Sequence, residues 1–274
     1  MLTCVFTAEL IAAVVISGRE RASEPVPAVA GAEPVTTISP IGDRVVRLVS
    51  LGGPPSDRLL SRAAADLGSA IDAVVGFWGA DWTHEIALVA TGSDGQFQQS
   101  AGGGASSQWA DIAAVTVAER VDPVARTMED ARIVLAPGAT HMTAQALRIV
   151  LGHELFHYAA RVDTALDAPR WLTEGVADYV ARPQTPLPAD VPAQSLPADG
   201  DLDTPGPQRS LAYDRAWWFA RFVADTYGPA KLRELYLAAC GVGHADQPSA
   251  FTAVLGVDAA GLLPRWQRWM TSHA

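Results

Sequence analysis

Lysine is almost missing from this chain: Lys231 is the only one among twenty basic residues, and thirty acidic residues bring the formal net charge to −10. A chain this acidic, with a pI near 5.0, lacks the basic stripe that replaces counterions along a phosphate backbone, which excludes nucleic acid as an expected partner. Cysteine is equally scarce. Cys4 and Cys240 are too few for a disulfide framework and form no CxxC pair, so any metal must be held by nitrogen and oxygen. Cys240 is expected to be a free, buried thiol. There is no internal repeat. Hydrophobic residues make up 49% and charged residues 18% of 274 positions, enough apolar matter for one large domain or two lobes.

A long apolar run is found only near the start. Residues 2–16 are mostly apolar, interrupted by one charge at Glu9; no Lys or Arg precedes them, and Arg19 and Arg21 follow. The run has the length of a signal-peptide core or a short anchor. Residues 1–18 are therefore expected to be a signal or anchor, giving an extracytoplasmic, secreted or membrane-anchored protein with a membrane tether; a buried N-terminal helix in a cytoplasmic protein is the alternative. Residues 19–40, rich in Pro, Ala and Glu and without periodicity, read as a disordered linker.

The remainder, 41–274, reads as one domain with a sheet lobe (41–140) and a helical lobe (141–274). Residues 44–51 alternate as a strand does, and Leu59, Leu60, Ala63, Leu67, Ile71, Val74, Val75 and Trp78 follow helical spacing. Strands are expected at 85–91, 112–118 and 131–136, with a Gly/Ser/Gln loop over 92–107. Thr140 or Thr143 can cap a long helix running to about Arg161, and a second helix starts near Pro169. Seven prolines and four aspartates between 183 and 207 speak against regular structure there, leaving a connector or a lid. Helices follow at 210–227, 229–240, 249–255 and 259–272. The expected fold class is α+β, a small N-terminal sheet with a helix followed by a mostly helical lobe.

The chemistry concentrates in the long helix. His153-Glu154-Leu155-Phe156-His157 is an HExxH motif, whose two histidines at i and i+4 lie on one helix face and can grip one ion. Glu154 beside them can act as base toward a water on that ion. Two surface histidines would be the bland explanation, but Leu147, Val150, Leu151, Leu155 and Tyr158 make this an apolar, buried helix in which polar groups need a reason. Glu174 lies seventeen residues after His157, enough for a turn and a helix that returns its carboxylate. A His₂Glu set leaves a fourth position for water, as in catalytic zinc sites. Asp178, one turn further on the same face, can accept the outer N–H of a ligand histidine.

The segments HELFH (153–157) and WLTEGVADY (171–179) resemble the gluzincin metallopeptidases, particularly the aminopeptidase N-like and compact peptidase-MA-like branches. The resemblance covers about residues 44–240 and implies one zinc per chain on His153, His157 and Glu174, with Glu154 as general base. It implies that Asp178 supports the first histidine. Residues 211–217, containing Tyr213, are similar to the Y-[DE]-K-G-A segment, whose tyrosine meets the oxyanion; Arg215 and Ala216 stand where the family has lysine and glycine. Tyr158 and His244 are the alternatives for that role. The resemblance further implies that the strand at 132–136 pairs with extended substrate. No G-x-M-E-N motif is present, so aminopeptidase specificity does not carry over. The expected function is zinc-dependent hydrolysis of a peptide or protein substrate. The alternatives are a catalytically degenerate binding protein of the same fold and a zinc hydrolase of a non-peptide amide. Oligomeric state leaves no mark in the sequence.

Overall fold

The computed structural model describes residues 14–15, 34–105, 109, 112–188, 194–204 and 206–274. Cys4, most of the expected signal or anchor segment and residues 19–33 of the expected linker lie outside the described residues. The architecture is α+β. The chain divides into two units, with the boundary between Val162 and Asp163.

In the first unit the strands are β1 (Val14–Val15), β2 (Val35–Ile41), β3 (Arg44–Ser50), β4 (Glu85–Ala90), β5 (Ala114–Ala118), β6 (Arg120–Asp122), β7 (Thr127–Glu129) and β8 (Arg132–Leu135), and the helices are α1 (Pro54–Trp78), α2 (Asp94–Ser100) and α3 (Ala144–Ala160). Six strands form one mixed sheet in the order β1-β5-β8-β4-β3-β2, and β6 and β7 form a separate ribbon. Strand β3 shows the alternation seen in its sequence, with Val46 and Leu48 buried and Val45 and Arg47 turned outward. Strands β4 and β5 are buried on both faces, as apolar runs in mixed sheets are. One face packs Val89, Val115, Val117 and Val134 against Phe97 and Trp109. The other carries α1 and α3.

Helix α3 begins where Thr143, the second of the two candidate caps, accepts a hydrogen bond from the Ala146 amide. A helix apolar all round has to be enclosed, and α3 is buried almost continuously from Leu147 to Ala160. Phe156 meets Trp78 of α1 edge-on with centroids 5.5 Å apart. At the far end the Tyr158 hydroxyl donates to the main-chain oxygens of Glu85 (3.0 Å) and Ala131 (3.3 Å). The HExxH helix thus packs with the sheet, and the boundary falls after it rather than at 140.

Four other expectations need correction. Residues 35–40, read as linker, belong to β2, which pairs antiparallel with β3 over Val35–Ile41; Pro40 is tolerated because β2 is the outermost strand among the described residues. The loop expected at 92–107 contains α2, whose start is fixed by Ser93 accepting from the Gln96 amide and Gln96 accepting from the Gly92 amide. The ribbon β6–β7 was not anticipated; Asp122 accepts from the amides of Val124 and Ala125, both at 2.9 Å, a side-chain turn that alternation does not reveal. Finally, α5 (Asp199–Leu202) is a helical turn within the Pro/Asp-rich segment.

The second unit consists of α4 (Arg170–Ala181), α5, α6 (Pro207–Tyr227), α7 (Pro229–Cys240), α8 (Gln247–Leu255) and α9 (Ala259–His273). Its core gathers around Phe219 of α6, which meets Trp171 edge-on at 5.1 Å and contacts Phe222, Phe251 and Trp266 within 6 Å. Cys240 is free and fully buried; burial raises its thiol pKa and keeps it protonated. Among the described residues no helix is long and apolar enough to cross a membrane.

Helices α4 and α6 touch backbone to side at Gly175. A Cβ placed there would stand 2.5 Å from the Ala216 oxygen and 2.7 Å from its carbonyl carbon, and main chain cannot yield as a flexible side chain does. Gly175→Ala is expected to destabilise the protein by about 1–3 kcal/mol through this overpacking, measured as a lowered urea midpoint; an unchanged midpoint would show that the two helices can part without loss.

Candidate metal centre

His153 and His157 stand one turn apart on α3, buried, with their Nε2 atoms 3.0 Å apart. Two imidazole lone pairs at that distance repel unless a proton or a cation lies between them. Glu174, buried on α4, completes the group: His153, His157 and Glu174 each offer one ligand atom, and these lie within 4.8 Å of one another. Nitrogens and oxygens about 2.0–2.1 Å from a tetrahedral ion stand about 3.3 Å apart, so the donor set could hold a metal ion once its atoms draw in from a spread of up to 4.8 Å. The three residues expected from the sequence are brought together.

Glu154 follows the first histidine and is fully buried. Its carboxylate Oε2 accepts from the Thr116 hydroxyl on β5 at 2.6 Å, and the same hydroxyl lies 2.9 Å from the Glu154 main-chain oxygen. Thr116 was not found from the sequence. In Ala-Val-Thr-Val-Ala a threonine reads as an ordinary strand residue, and only pairing of β5 beneath α3 reveals its partner.

Asp178 lies one turn beyond Glu174, buried, and accepts from Arg182 Nη1 at 3.1 Å. The same guanidinium donates to Asp214 of α6 at 2.9 Å and lies over the Trp217 ring, 4.1 Å from its centroid. Burial by itself would lower the Arg182 pKa, but Asp178 and Asp214 outweigh it and hold it above the ordinary value. Arg182 therefore ties the helix of Glu174 to the helix of Tyr213 with its charge intact.

Tyr213 sits in the second turn of α6. Burial raises its phenol pKa well above the ordinary value, and the negative charges of Glu174 and Asp178 raise it further, against a smaller opposing pull from Arg170 and Arg209. The phenol is thus kept as a protonated donor facing the field of the Glu174 carboxylate. Its two stand-ins are engaged elsewhere. Tyr158 is bound to sheet carbonyls, and burial pushes its pKa up to about 12. His244 faces the Ala245 oxygen at 2.8 Å and Asp167 at 3.4 Å.

The strand expected to receive substrate does not offer an edge. β8 pairs parallel with β4 and antiparallel with β5, so its main-chain groups are engaged on both sides. A groove of about 730 Å³ in the first unit is lined by residues such as Val45, Arg47, Met128 and Tyr158. It contains none of the candidate metal-binding residues.

No protein-family model matches the chain, and comparison with curated proteins gives no match.

The metal centre has a direct check. The purified chain, dialysed against a divalent transition metal and then freed of excess, is expected to hold about one ion by elemental analysis. Glu174→Ala should weaken retention by more than the 10–100-fold typical of losing an outer partner. No uptake by the parent chain would remove the centre.

Proposed function

We propose that this chain is a zinc-dependent metallopeptidase of the gluzincin type, hydrolysing peptide bonds in a peptide or protein substrate. The observation that carries the reading is the convergence of His153, His157 and Glu174 with a buried carboxylate, Glu154, next in sequence to the first of them. Two imidazoles and one carboxylate are the ligand set of catalytic rather than closed structural zinc sites. When bound, zinc supplies Lewis acidity, polarising a carbonyl and lowering the pKa of a coordinated water to about 7.

The remaining steps belong to the chain's own residues. Glu154 takes a proton from the attacking water as its oxygen bonds to the scissile carbonyl carbon. It then delivers that proton to the amide nitrogen as the C–N bond breaks, leaving a carboxylic acid and an amine, and the acid's remaining proton passes to the amine to give carboxylate and ammonium. Tyr213, kept protonated by burial and by the neighbouring carboxylates, donates to the oxygen that gains charge during the attack. Asp178, held by Arg182, orients a ligand imidazole and fixes its tautomer. The buried position of Glu154 favours this reading over a metal scaffold without activity, because a carboxylate that neither ligates nor reacts is costly to bury.

Two substitutions separate the roles. Glu154→Gln should keep one zinc per chain while lowering kcat on a peptide library by about 10²–10⁴-fold, since an amide cannot take the proton. Equal turnover would favour the scaffold. Tyr213→Phe should lower kcat by roughly 10²-fold with KM little changed, because its contact forms in the transition state; a kcat within a few-fold of the parent would take Tyr213 out of the mechanism.

A further inference from the structure

Thr116 occupies an interior strand of the sheet, with β1 on one side and β8 on the other. Its neighbours Val115 and Val117 point into the apolar cluster on one face, so Thr116 points to the other, toward α3. In register across β8 stands Ile133, fully buried. Valine would pack equally well in such surroundings; what threonine adds is the hydroxyl.

That hydroxyl has one proton to give and two acceptors on the same residue, Glu154 Oε2 at 2.6 Å and the Glu154 main-chain oxygen at 2.9 Å. The charged carboxylate is the stronger acceptor. The main-chain oxygen provides a second partner, so the buried hydroxyl stays satisfied as the proton moves between them. Glutamate otherwise has three side-chain torsions to fix, and a reacting group loses much of its effect if it strays by about an ångström. A donor built into a strand paired on both sides is a firm anchor for it.

We infer that Thr116 is a positioning residue for Glu154. It holds the carboxyl in one rotamer by engaging Oε2. The inference rests on the reading of Glu154 as general base. Both hydrogen bonds of the Thr116 hydroxyl go to Glu154, so its effect on the reaction is carried through Glu154.

The test uses the zinc-loaded full chain and its Thr116→Val, Thr116→Ser and Glu154→Ala variants, with the Thr116→Val/Glu154→Ala double variant. On peptide substrate, Thr116→Val should lower kcat about 10–100-fold with KM within about twofold, and Thr116→Ser should recover kcat to within about threefold. Zinc content should be the same in the parent and both Thr116 variants. Urea unfolding gives a readout independent of activity. The change in unfolding constant caused by Thr116→Val should be about tenfold larger in the parent chain than in the Glu154→Ala background, because only with the glutamate present does it leave a buried carboxylate short of a donor. A Thr116→Val enzyme with parental kcat, a loss that serine does not recover, or additive unfolding would each overturn the inference. If the zinc-loaded parent cleaves no peptide at all, the metallopeptidase reading fails and the positioning role falls with it; coupled unfolding would then mark the contact as structural.

Discussion

The 3.0 Å approach of the His153 and His157 nitrogens inside a helix closed off from water is the constraint on which the surrounding structure depends. Polar groups brought into such an interior must find partners or lose several kcal/mol to desolvation. Helix α3 sets this polar turn among apolar neighbours and gives Glu154 a hydrogen-bond donor. Phe156 packs on α1, Leu151 and Leu155 are fully buried, and Thr116 reaches up from the sheet to the Glu154 carboxylate. The cost of burying His153, Glu154 and His157 is thus offset by a rigid, dense setting, which is also what a metal-binding pair needs to keep its geometry.

In the second unit, rigidity comes from helix contact rather than from a sheet. Gly175 lets α4 lie directly on the main chain of α6, and Arg182 joins the two helices through Asp178 and Asp214 while stacking on Trp217. Glu174 and Asp178 lie one turn apart on α4, and Arg182, which caps the end of that helix, reaches back to Asp178 as the clamp. The small residue next to Glu174 and the small residue at 216 serve the same end, since bulk at either would separate Glu174 from Tyr213. Arg215 is bonded to Asp201 and Ser195 and so fixes the Pro/Asp-rich connector against α6.

Much of this was legible in the sequence where periodicity or spacing was strong. The α+β class follows from alternating and 3.6-residue patterns, and the long helices and the shared face of His153 and His157 from helical spacing, because helix geometry is local and converts sequence intervals directly into faces; Glu174 was an expectation from its own segment. The signals missed were short or unusual. A proline disguised β2 as linker, an S-x-x-Q start to α2 was hidden by Gly, Ser and Gln around it, and the β6–β7 ribbon turns on one aspartate side chain.

Sequence by itself thus determined that His153 and His157 share one helix face, since that depends on neighbours within one turn, whereas the arrival of Glu174 from another helix was decided by the tertiary structure. Strand order was decided only in the tertiary structure. It made β8 an interior strand and removed the expected substrate edge, and it set Thr116 beneath Glu154, thirty-eight residues away along the chain. Strand pairing joins residues distant in sequence through main-chain groups that every residue shares, so no side-chain pattern records who pairs with whom.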